Sequence, residues 1–121
     1  MAQKMVLIAD DEPDMADFLK TALEAEGIAV ESAASAEAIE SKLKTLTPDL
    51  ILLDMGMPGL NPTTPALDVR TKTRTKAKIL IMTGRDISKE KQEGHLKGSD
   101  GALQKGTGMD KILTEVKKIL G

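Results

Sequence analysis

Two rhythms of apolar residues alternate along this chain. "MVLIA" at 5–9 is a short continuous apolar run, as expected of a strand covered on both faces. Residues 14–26 then switch to helical spacing, with Met15, Phe18, Leu19, Ala22 and Leu23 on one stripe and Gly27 just past the end. "IAVESA" at 28–33 alternates more openly, which suits an edge strand. Ser35 is positioned to cap a helix running to residue 46, with Ile39, Leu43 and Leu46 inward. "LILL" at 50–53 is the most apolar strand, followed directly by Asp54 and a Gly/Met/Pro loop.

The second half is less regular. Pro58, Pro62 and Pro65 allow a helix only from about residue 62 or 63 onward, with Ala66, Leu67 and Val69 toward the core. "KILIMT" at 78–83 is a fourth inner strand. A weak helix is predicted over 87–97, interrupted by Gly94 and carrying only Ile87 and Leu96 as inward residues. "GALQ" at 101–104 is a fifth, short strand. The last helix has the clearest stripe, Met109, Ile112, Leu113, Val116, Ile119 and Leu120, with Thr107 and Asp110 spaced as a capping box.

Five β-α units in succession predict an α/β fold: a doubly wound, five-stranded parallel sheet with helices on both faces. With no repeat, linker or low-complexity tail, residues 1–121 are expected to form one domain with no effector domain attached. The flavodoxin-like strand order 2-1-3-4-5 is expected.

Composition changes this picture little, except for the core. Phe18 is the only aromatic residue, so the interior must be aliphatic, with seven methionines as adaptable filler. The absence of cysteine excludes disulfides and thiolate metal sites. Net charge of −2 gives no global attraction to nucleic acid or membrane. No run is long enough to span a bilayer, and the first residues lack the pattern of a secretion signal, so a cytoplasmic location is the expectation. "VRTKTRTKAK" at 69–78 reads as a helix C-terminus and solvated loop, where cations suit the helix dipole. The lone His95 reads as a solvated or packing residue.

The chemistry lies at the strand ends. In a parallel sheet all strand C-termini share one edge, and ligands bind there where strand order reverses. The first strand ends in Asp10 and Asp11, the third in Asp54, the fourth in Thr83 and the fifth at Lys105. Two like charges 4 Å apart repel by about 4 kcal/mol at an effective dielectric of 20, and one lysine offsets only one of three carboxylates. A hard divalent cation, Mg²⁺ or Mn²⁺, is the simplest compensation, and its open positions can take phosphoryl oxygens.

"ADDEP" (9–13), "LLDMGMPG" (52–59), "MTG" (82–84) and "LQKG" (103–106) together resemble the receiver domain of two-component response regulators, in order and across the whole chain. The resemblance implies that Asp54 accepts a phosphoryl group from the phosphohistidine of a sensor histidine kinase or phosphotransfer protein. It implies Mg²⁺ ligation by Asp11, by Asp10 through water, by Asp54 and by the Gly56 carbonyl. Thr83 and Lys105 would engage the phosphoryl group, and the Gly84 N–H would approach one of its oxygens. A downstream target protein would bind the face made by the fourth helix, fifth strand and fifth helix; neither a membrane nor nucleic acid is expected as a partner of this domain. The protein would be a signalling domain rather than an enzyme, catalysing only its own phosphoryl transfer and slow dephosphorylation.

Four features depart from the family pattern: the fourth helix weakened by Gly94, the third helix shifted by Pro62 and Pro65, and two single residues. Gly106 stands where proline usually follows the lysine, so a trans bond is expected. Ala102 stands where an aromatic switch residue is usual, which leaves open a receiver-like docking module that no longer switches by phosphorylation. A dehalogenase-type phosphohydrolase also begins from a strand-end aspartate, but it needs a second aspartate where Gly56 stands. A P-loop enzyme lacks its lysine motif here.

Overall fold

In the computed structural model, which describes residues 3–121, five strands form one parallel sheet in the order β2-β1-β3-β4-β5. The strands are β1 (Met5–Ala9), β2 (Ala29–Ala33), β3 (Leu50–Asp54), β4 (Lys78–Thr83) and β5 (Gly101–Gln104). The helices between and after them are α1 (Pro13–Glu24), α2 (Ala36–Leu43), α3 (Pro65–Thr73), α4 (Ile87–Gln92) and α5 (Met109–Leu120). The expected fold class and strand order are both present.

The continuous apolar runs are explained by burial on two sides. Successive strand residues point to opposite faces. Val6, Ile8, Leu50, Leu52 and Leu80 therefore pack on one side with Leu19 and Leu23 of α1 and Ile112 and Val116 of α5. Leu7, Ile51, Leu53, Ile79 and Ile81 pack on the other with Ile39 of α2 and Ala66 and Val69 of α3. Each completely buried leucine or isoleucine contributes roughly 1.5–3 kcal/mol. The central strands β1, β3 and β4 thus dominate the core's hydrophobic stabilisation, and their rigid ends are what the site is built on.

Several helix details differ from the sequence reading. Phe18 was expected inward but is 61% exposed, because Ala16, Leu19 and Leu23 form the buried stripe and Phe18 lies on its flank. The second helix ends at Leu43, leaving Leu46 half-buried in the turn beyond it. Its start is as expected, with Ser35 accepting a hydrogen bond from the Ala38 N–H. The third helix begins at Pro65 rather than near 62, because the Asn61 side chain accepts from the N–H groups of Thr63 and Thr64 and holds a turn there. Leu67 is consequently 43% exposed, while Ala66 and Val69 face the core. The fourth helix is only six residues long, and Gly94 and Gly98 follow it with φ of 80° and 82°. At α5 the expected capping box is absent: Gly108 is the N-cap, and the Thr107 hydroxyl donates to the Gln104 carbonyl instead.

The basic run is partly consumed by structure. Arg70 donates to the carbonyls of Gly98 and Thr75 and pairs with Asp100 at 2.9 Å, and Lys72 pairs with Asp68 at 3.3 Å. Among the described residues no peptide bond is cis, so Gly106 follows Lys105 through a trans bond and takes a φ of 88°. No helix is long and apolar enough to cross a membrane among the described residues.

Candidate functional site at the strand ends

The register of the sheet delivers the acidic residues to one place. Asp10 extends β1, its N–H bonded to the Ala33 carbonyl at 3.1 Å, and Asp54 closes β3 opposite Met82 of β4. The Lys105 N–H donates to the Thr83 carbonyl at 2.7 Å, which fixes the lysine beside the end of β4. Carboxylate oxygens of Asp10, Asp11 and Asp54 all lie within 4.8 Å of one another. Asp11, Asp54, Gly56, Thr83, Gly84 and Lys105 line a single open cleft of about 500 Å³, and Asp10 lies buried beside it within the acidic cluster.

The three acids differ in how they are held. Asp10 is 3% exposed; its Oδ1 accepts from the Glu12 N–H at 2.9 Å, but its Oδ2 is buried without a hydrogen-bond partner. Burial, reinforced by the field of Asp54, pushes the Asp10 carboxyl above the usual carboxylate range, only partly opposed by the Glu12 N–H and Lys105. Asp54 is also buried and meets the Lys105 ammonium at 2.6 Å through Oδ1. Asp11 is exposed at the mouth. Burial would lower the Lys105 pKa, but its bond to Asp54 and the fields of Asp54, Asp10 and Glu12 outweigh that and raise it.

An orphaned buried oxygen among three carboxylates is the arrangement a hard cation relieves. All donors are oxygen, with no imidazole or thiolate among them, so the set suits Mg²⁺ or Mn²⁺ better than zinc.

One part of the cleft escaped the sequence reading. Glu90 of α4 is completely buried beneath it. The Thr83 hydroxyl donates to Glu90 Oε2 at 3.4 Å, while Arg85 meets Oε1 at 3.0 Å and His95 Nδ1 lies 3.3 Å from the same oxygen. His95, expected as a lone solvated or packing residue, instead lines the cleft as a polar partner of the buried Glu90. For Glu90 the sequence offered only its spacing, three residues after Ile87, too weak a signal on so short and polar a helix to mark an inward carboxylate. Glu90, Glu93 and His95 also form a ligand-like cluster, but Arg85 already bridges the two glutamates, at 3.0 and 3.4 Å.

Fold and cleft together define a doubly wound α/β protein with an acidic, oxygen-lined site at its topological switch point. The chain belongs to the response regulator receiver domain family, whose model matches residues 6–117. It is 25% identical to the probable transcriptional regulatory protein TcrX of Mycobacterium tuberculosis over 95% of this chain and 49% of that protein. It spans about half the length of the curated relatives it matches. Among solved structures, a two-component response regulator from Clostridium difficile superimposes with a TM-score of 0.85 at 27% identity, covering 98% of this chain and 96% of that one. TrrA from Thermotoga maritima, solved in complex with Mg²⁺ and BeF, gives 0.82 at 30% identity, covering 97% and 99%.

Proposed function

We propose that Asp54 is the phosphoacceptor of a phosphorylation-driven switch. The observation that carries this reading is the meeting of the buried Asp54 carboxylate with the Lys105 ammonium, beside two further acids, one with an orphaned oxygen. In the transfer, an Asp54 carboxylate oxygen attacks the phosphorus of a phosphohistidine on a sensor kinase or phosphotransfer protein. The P–N bond breaks, its electron pair leaves with the imidazole nitrogen, and an acyl phosphate remains on Asp54. The chain's work is positioning and neutralising the charge spread over the phosphoryl oxygens. Lys105 pairs with one oxygen, the Gly84 N–H approaches another, and the Thr83 hydroxyl moves to donate to the group.

Asp11, Asp54 and the Gly56 carbonyl, with Asp10 behind them, would hold Mg²⁺ or Mn²⁺. Such an ion supplies the positive charge that lets an anionic phosphoryl group approach three carboxylates. Mg²⁺ and BeF together on the similar protein TrrA support that choice. The signal then leaves through the face of α4, β5 and α5. With Ala102 in place of an aromatic, we assign the output to movement of α4 and its backbone rather than to a ring swing. Relatives named as transcriptional regulators match over only about half their length, so a DNA-directed output would belong to protein outside this sheet.

Ala102 favours a second reading, a docking module without phospho-switching. Incubation with acetyl phosphate, read by intact mass, separates the two. We expect the gain of one phosphoryl group with Mg²⁺, and none in EDTA or in Asp54→Ala; no gain in the wild-type chain would leave only the docking module.

A further inference from the structure

We propose that Glu90 is a positioning residue that holds the resting state, competing with a phosphoryl group on Asp54 for the Thr83 hydroxyl and the Arg85 guanidinium; this rests on the phosphoacceptor reading above. A fully buried carboxylate is retained only where donors satisfy it. Glu90 has three around it: the Thr83 hydroxyl on Oε2, and Arg85 and His95 on Oε1. All three line the cleft that holds Asp54, and the Thr83 hydroxyl and Arg85 guanidinium are the two suited to donate to a phosphoryl oxygen there.

A hydroxyl has one proton to donate. Thr83 Oγ1 already accepts from the Arg85 N–H at 3.0 Å and directs its own proton to Glu90. It can donate to a phosphoryl oxygen only by releasing Glu90, and the bond it gives up is long at 3.4 Å. The Arg85 side chain faces the same choice between anions, since Glu90 and Glu93 hold it now. Glu90 sits on α4, so exchange of its donors loosens the short helix on which the proposed output depends. The latch thereby links the phosphorylation site to α4 without any aromatic at position 102.

The full chain titrated with beryllium fluoride at saturating Mg²⁺, followed by ¹⁹F NMR, tests this. Glu90→Gln keeps the shape and removes the charge; roughly three- to tenfold tighter binding is expected, the scale of one weakened hydrogen bond to a charged group. In a Thr83→Val background the same substitution should have a clearly smaller effect, because part of the competition acts through the hydroxyl. Equal or weaker binding by a folded Glu90→Gln chain overturns the latch. Should that variant not fold, the wild-type chain still decides: the Glu90 side-chain carboxyl ¹³C resonance should move on saturation, and a stationary resonance overturns the latch. Wild-type binding with no Glu90 effect removes the latch alone, whereas no wild-type binding removes the phosphoacceptor reading and the latch with it.

Discussion

Asp10 shows how one atom exposes the tension in the cleft. Its carboxyl is buried with one oxygen unpartnered, and the folded chain holds its proton more tightly than the unfolded chain does. Ionised Asp10 therefore subtracts from stability at neutral pH, and the penalty fades as pH falls through its raised value. Asp10→Asn should raise the stability measured by urea unfolding in EDTA by about 1–3 kcal/mol, the scale of an unsatisfied buried polar group. The same substitution should shrink the thermal upshift that Mg²⁺ produces in the wild type. Asp10 and Asp54 were legible in the sequence because each ends an apolar run, and Lys105 because it follows the fifth strand. Glu90 was not, because its helix is too short and polar to reveal an inward side.

At the scale of elements, α3 and the loop after α4 depend on each other. Gly98 combines a φ of 82° with backbone contact so close that a Cβ would lie 2.8 Å from the Leu67 Cα. Gly98→Ala should therefore lower stability by more than about 1 kcal/mol and reduce the melting temperature, the strain of the φ adding to the clash. The short α4 contrasts with α5, whose buried stripe of Ile112 and Val116 anchors a twelve-residue helix. Hydrogen exchange should accordingly be faster over 86–100 than over 109–120. Adding Mg²⁺ and beryllium fluoride should change exchange in 86–100 while leaving the sheet centre unchanged; no change there would argue against output through α4. The extents of α2, α3 and α4 were hard to read because local hydrogen bonds, such as the Asn61 turn, set the boundaries rather than apolar spacing.

Across the whole molecule, stability and signalling draw on different parts. Leu52→Ala in the centre of β3 should cost about 3–5 kcal/mol by urea unfolding, since the residue is wholly buried and a cavity cannot collapse between two helical layers. Phe18→Ala, although it removes the only aromatic ring, should change stability by less than about 0.5 kcal/mol because that ring is largely in solvent. The hydrophobic pattern by itself determined the five β-α units, the parallel sheet and the polar residues that stop its strands. These depend on burial periodicity and chain order, which are local properties. Only the tertiary structure decided that Phe18 stays in solvent, where α3 begins, and that Glu90 lies beneath Thr83. Those outcomes depend on distances between segments far apart in the chain, where packing and paired charges outweigh local preference.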